Sequence, residues 1–157
     1  MNHKILKFIS LIFMFWIVGC GSDGNQYSKI SFSRIDCPSV AANSAYSEPI
    51  NYILSDQHAY RERYLSTNLD ADREPPGINF NTGAVIVLHG GFKPSLGHRI
   101  DIIEIVDRGE YWQVLYSESE PQSCAADMAT TYPYCFVSVE RTNKPIKFSR
   151  EMIDSCD

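Results

Sequence analysis

Apolar and polar residues alternate along most of the chain, and the phase of that alternation predicts its strands. From Tyr27 to Cys37, Ile30, Phe32 and Ile35 stand against Lys29, Ser31 and Ser33, which predicts a first strand. Pro49 to Leu54 predicts a short second one. Ala84 to Leu88 is apolar and mostly β-branched without a break, a pattern that suits a strand covered on both faces. Arg99 to Val106 changes phase midway, with Ile100 and Ile102 on one parity and Ile103 and Ile105 on the other. A bulge reconciles the two. Asp107-Arg108-Gly109-Glu110 reads as a hairpin turn, and Tyr111 to Ser117 returns with Trp112, Val114 and Tyr116 on one face. Tyr134 to Glu140 carries Cys135, Val137 and Val139 on one face, and Ile146 to Phe148 predicts a last short strand.

One segment has helical character. Ser55 is placed to cap it, Asp56 suits the first turn, and the helix should end near Thr67. Its apolar positions are sparse (Ala59, Tyr60, Tyr64, Leu65), so it covers one sheet face or edge at most. The expected class is α+β and β-rich, with a mostly antiparallel sheet of about seven strands and one helix.

The first 26 residues follow a different pattern. Lys4 and Lys7 precede an apolar run that ends at Ile17-Val18-Gly19-Cys20. A basic start, a short apolar core and a small-residue cleavage site make a secretory signal. The run is short for a membrane span, which needs about 20 residues. Gly19-Cys20 resembles the lipobox of bacterial lipoproteins, in which the cysteine is lipidated and becomes the new N-terminus. The expected organisation is a signal peptide over 1–19, a lipidated tether over 20–26 and one globular domain over 27–157. Lipidation at Cys20 would place the domain in the cell envelope, held by acyl chains alone. Gly21 after the lipidated cysteine suggests the bacterial outer membrane, by resemblance to enteric sorting rules.

Cleavage before Cys20 leaves 138 of the 157 residues, enough for one domain with a real core. It also leaves 12 basic against 19 acidic residues, a net charge of about −7. That balance argues against nucleic acid and against adhesion to anionic lipid. Cys37, Cys124, Cys135 and Cys156 form an even set in an exported domain, which suggests two disulfides. Three pairings are open, and Cys124–Cys135 with Cys37–Cys156 is the expected one. A zinc site is the rival, but no CxxC pair is present. Free thiols are the other.

The stretch 84–148 resembles the C-terminal domain of the protease complex subunit PrcB family. The residues that carry the resemblance are Ala84-Val85-Ile86-Val87-Leu88, Gly91-Phe92-Lys93-Pro94-Ser95-Leu96-Gly97, Cys124, Thr131-Tyr132-Pro133-Tyr134 and Lys144-Pro145-Ile146-Lys147-Phe148. Leu96, His98 and Cys135 depart from the family pattern. The resemblance implies a non-enzymatic domain that binds an exported protein, such as a surface protease, and stabilises it. Exposed aromatics on glycine- or proline-flanked loops anchor such partners. Gly91, Phe92, Lys93, Pro94, Gly97, Tyr132 and Tyr134 are the expected partner-binding residues, and no cofactor is expected.

Other chemistries are weaker. The glycine-rich loop lacks the GxxxxGK[ST] order of a phosphate loop. Ser95 has only half of a nucleophile elbow, because a strand and not a helix follows it. His58, His89 and His98 lack metal-ligand spacing. Glu118 and Glu120 near Asp101 or Glu104 fit an acidic surface without a catalytic carboxylate pair. A small-ligand or carbohydrate-binding domain is the alternative function, and it requires a pocket lined by Trp112 and Tyr116.

Overall fold

The computed structural model describes residues 27–38, 40, 43–67, 69 and 74–156. The expected signal peptide, the lipobox-like segment and Cys20 lie outside these residues. The elements are β1 (Ser28–Lys29), β2 (Phe32–Asp36), β3 (Ile50–Leu54), α1 (Gln57–Thr67), β4 (Gly83–His89), β5 (Arg99–Asp107), β6 (Trp112–Glu120), β7 (Tyr134–Glu140) and β8 (Ile146–Asp154). They form two four-stranded sheets, ordered β1-β5-β6-β8 and β2-β7-β4-β3. Every strand pair is antiparallel except β6 with β8. The fold is α+β and rich in β, as the periodicity predicts.

The sheets pack face to face. Ala84, Ile86 and Leu88 of β4 and Cys135, Val137 and Val139 of β7 meet Ile100, Ile102 and Ile105 of β5 and Trp112, Val114 and Tyr116 of β6. The opposite face of β4 and β7, formed by Val85, Val87, Tyr134 and Phe136, lies under Tyr60 and Tyr64 of α1. Burial on both faces is why Ala84 to Leu88 has no polar alternation. The register of β5 on β6 shifts between Ile102 and Glu104, so Ile103 turns out to solvent while Ile102 and Ile105 share one core. The expected bulge is there.

α1 buries only Tyr60, Tyr64 and Thr67, so packing of two tyrosines on the sheet, and not propensity, holds it. Fully burying an aromatic side chain contributes about 2–3 kcal/mol. The cap is Asp56, not Ser55. Asp56 Oδ1 accepts the Ala59 N–H at 2.8 Å, three residues on, as an N-cap side chain does.

Three further expectations are corrected. Tyr27 to Cys37 is not one strand. Ser28 and Lys29 pair with β5, whereas Phe32 onward pairs with β7 in the other sheet. The chain changes sheets between them, a corner that alternation alone does not mark. The last strand does not stop at Phe148. It continues to Asp154 because β6 supplies a parallel partner as far as Glu120. Its second half lies at an edge, mostly exposed, and has no periodicity to read.

The third correction is the disulfide pairing. The bonds are Cys37–Cys135 and Cys124–Cys156, not Cys124–Cys135 and Cys37–Cys156. β2 runs antiparallel to β7 with Asp36 opposite Phe136, so the next rung sets Cys37 beside Cys135, with Cα atoms 4.1 Å apart. The length of β8 carries Cys156 past the end of β6, where Ser155 N–H bonds to Glu120 O at 2.9 Å, and so next to Cys124. The described peptide bonds are all trans, that between Tyr132 and Pro133 included.

Candidate functional site

β4 ends at His89, and the nine residues before β5 form a loop held from both sides. Gly90 N–H bonds to Pro133 O at 2.8 Å. Gly91 has φ +73°, and a Cβ there would stand 2.7 Å from Ser47 O and 2.9 Å from Pro49. Both the dihedral and the close approach require glycine. Phe92 N–H then bonds to Ser47 O at 2.8 Å. Lys93 and Thr131 exchange two backbone bonds, at 2.9 and 3.0 Å, and Leu96 N–H bonds to Asp127 O at 3.0 Å. Gly97, at φ +92°, turns the chain into β5.

The outcome is a braced loop with apolar side chains on its surface. Phe92 is 48% exposed, with its ring edge-on to Tyr132 at 5.8 Å. Pro94 is exposed and Tyr132 half-buried. Met128, 89% exposed, lies on the 127–131 segment that runs beside 93–96. Ile50, 42% exposed, stands opposite His89 at the same end of the sheet. A rigid loop that exposes an aromatic pair and a methionine loses little conformational freedom on binding.

The seven expected partner-binding residues divide. Phe92, Pro94 and Tyr132 reach the surface. Gly91 and Gly97 shape the backbone, and Gly91 is itself buried. Tyr134 is not a surface residue. It is 1% exposed and its hydroxyl donates to Asp36 Oδ2 at 3.0 Å. Lys93 is not free to meet a partner either. Its Nζ donates to Glu118, in a pair whose side chains are 16% and 4% exposed, and Arg150 approaches the other oxygen of Glu118 at 3.2 Å. Sequence reasoning missed Met128 and Ile50 as surface residues and Glu118 as the buried counter-charge. An alternating strand with one acidic residue on its apolar parity (Trp112, Val114, Tyr116, Glu118) was the available sign of the last.

His89 anchors the loop from beneath. It is 1% exposed. Its Nδ1 accepts the Gly91 N–H at 3.1 Å, and its Nε2 lies 3.0 Å from Ser44 Oγ, so the neutral ring donates to Ser44. Burial, and then the charge of Arg63, push its pKa down from 6.5 to about 4. Between those values the unfolded chain binds a proton that the folded one refuses, so stability falls with pH in that window. The expected loss on acidification from pH 6.5 to 4 is about 3 kcal/mol from this group. Urea melts across the window check it against His89→Asn, which keeps an acceptor for Gly91. The variant should be weaker at pH 7 and show a flatter pH slope; an unchanged slope contradicts the assignment.

Ser95 Oγ lies 3.4 Å from His98 Nε2, a contact that invites a nucleophile–base reading. A working pair needs the far ring nitrogen oriented by a third group. His98 Nδ1 is buried without a hydrogen-bond partner among the described residues. Glu118 is committed to Lys93 and Arg150, Asp101 to Arg34 at 2.6 Å and Glu104 to Lys29 at 2.8 Å, while Glu120 acts on the His98 ring through its charge and makes no hydrogen bond to it. Among the described residues, the group with metal-ligand proximity is Cys37, Asp101 and Cys135, whose two sulfurs are joined in a disulfide. The three histidines form no such group. Trp112 and Tyr116 are 3% and 8% exposed in the core, with Tyr116 Oη accepting from Asn51, so they do not line the pocket that a ligand-binding domain would need.

Residues 84–140 match the family model described as PrcB C-terminal. The match runs from β4 through β7 and includes the whole braced loop and its 127–133 support. No curated protein and no solved structure matches the chain. Among the described residues, no helix is long and apolar enough to cross a membrane.

Proposed function

We propose that this protein is a non-enzymatic, lipid-anchored domain of the bacterial cell envelope that binds an exported partner protein. The observation that carries the reading is Phe92, exposed on a loop whose backbone is bonded on both sides and edge-on to the half-buried Tyr132 of the neighbouring segment. The aromatic anchors enter a partner's pocket, and Pro94, Met128 and Ile50 widen the contact around them. The match of residues 84–140 to PrcB C-terminal supports a binding role for this same segment. A surface protease is the class of partner that the resemblance favours. Binding only the folded partner stabilises it by mass action. The anchor is supported by the basic start, the apolar run and Gly19-Cys20, and Gly21 favours the outer membrane. No cofactor and no nucleic acid enter this mechanism.

The test is chemical crosslinking in intact cells followed by capture of the full chain, compared with Phe92→Ala. One dominant envelope protein should be recovered with the native chain. Its recovery should fall at least about tenfold in the variant, since a central aromatic anchor contributes about 2 kcal/mol or more. Phe92 is exposed, so the melting transition should be unchanged. Equal recovery with a folded Phe92→Ala chain would sink the proposal.

A further inference from the structure

β8 is the outermost strand of its sheet, and its nine residues pair only with β6 among the described residues. Two bonds bracket that parallel ladder: Trp112 N–H to Pro145 O and Ser155 N–H to Glu120 O, each 2.9 Å. They set its phase. In a parallel pair, alternate residues of a strand turn both backbone groups to the neighbour, and here those are the odd residues of β8. The N–H and C=O groups of Ile146, Phe148, Arg150, Met152 and Asp154 therefore point to the open side. Such an edge is a template for another strand. Met152 and Ile153 are each 42% exposed on it, one on either face of the strand.

We infer that a second copy of this chain occupies the edge, with the two β8 strands antiparallel about a two-fold axis at Ser149. Side chains opposite each other across an antiparallel pair share a face, so a two-fold axis must pass through one residue and its own copy. The charges of β8 select that residue. Centred on Ser149, Lys147 faces Glu151 of the second copy, and the symmetry makes this pair twice. Ile146 then faces Met152, and Phe148 faces Arg150. Centred on Arg150 or Glu151, like charges stand opposite each other, which is destabilising. Centred on Phe148, Lys147 faces Ser149 and neither charge finds its complement. Arg150 meets no like charge in this register, and its guanidinium is drawn toward Glu118, at 3.2 Å, a carboxylate it shares with Lys93. Lys147 is already aimed along the outer face by its contact with the Tyr111 ring, at 3.8 Å. The bonding parity agrees with the charges: even residues, whose backbone groups are open, lie opposite even residues. The product is one continuous sheet with β1 at each outer end, far from the seam.

Sedimentation of the detergent-extracted full chain over a range of concentrations tests the inference. The native chain should pass from monomer to dimer. Lys147→Glu and Glu151→Lys should each weaken the dimer at least about tenfold, and the two together should restore it. Met152→Pro removes an N–H from the open side and none from the β6 ladder. It should abolish the dimer and leave a cooperative melt; if it unfolds the chain, the charge-reversal pair still carries the test. Ser149→Cys should crosslink to its own copy under mild oxidation, whereas Glu151→Cys should not. A chain that stays monomeric at every concentration overturns the inference. So does a dimer that survives both single reversals, or a monomer whose β8 edge takes up a different polypeptide.

Discussion

Glu118→Ala is expected to destabilise the domain by about 3–5 kcal/mol and to loosen the loop that presents Phe92. The carboxylate is 4% exposed and stands between Lys93 and Arg150. Once it is removed, the two cations fare differently. Arg150 is 54% exposed and can turn into water. Lys93 is 16% exposed, so its ammonium is left in a desolvated place without a counter-charge. To reach water, Lys93 must move. Its backbone bonds to Thr131 in both directions, so the move pulls on both segments that carry the aromatic pair. Urea melts of Glu118→Ala measure the first effect and partner capture the second. The double variant Lys93→Met with Glu118→Leu should recover most of the lost stability, because an apolar pair avoids the desolvation penalty altogether. A Glu118→Ala loss below about 1 kcal/mol would mean that the pair is solvated and does not brace the loop.

Removal of the Cys37–Cys135 bond, by Cys37→Ala with Cys135→Ala, is expected to cost about 2–5 kcal/mol. The bond closes 98 residues and ties β2, at the sheet edge, to β7 in the middle. The Cys124–Cys156 bond closes 32 residues and ties a surface loop to the end of β8. Chain entropy alone makes the longer closure worth about 1 kcal/mol more. Cys135 is also fully buried in the inter-sheet core, so its pair loses packing as well as a constraint. Paired denaturant melts of the two double variants should rank them in that order. The reverse order would contradict this account of which bond secures the sandwich.

The strands that were legible from periodicity are those with a buried face. β4 and β7 announced themselves by continuous or alternating apolar residues, and the phase change in β5 marked a bulge because both of its halves feed one core. Where burial is one-sided or slight, the signal failed. The second half of β8 is edge strand, and the corner between β1 and β2 is a change of partner within one alternating run. The candidate site was legible in the same uneven way. Glycines and aromatics around Phe92 pointed to the loop, but the residue types do not say which side chains turn inward. Lys93 and Tyr134 looked like surface residues by type, and both are held inside by partners remote in sequence, Glu118 and Asp36.

The chain's own pattern settles its class, its β-rich elements, the doubly covered strand and the glycine-shaped loop, because each depends on residues within a few positions of one another. The disulfide pairing, the parallel placement of β8, the inward turn of Lys93 and the open backbone groups at the sheet edge were decided by tertiary structure alone. Each depends on which strands become neighbours and in what register. A shift of one residue would turn every side chain of a strand to its other face. That choice belongs to the packing of the whole core, where Cys37 meets Cys135 at a sequence separation of 98.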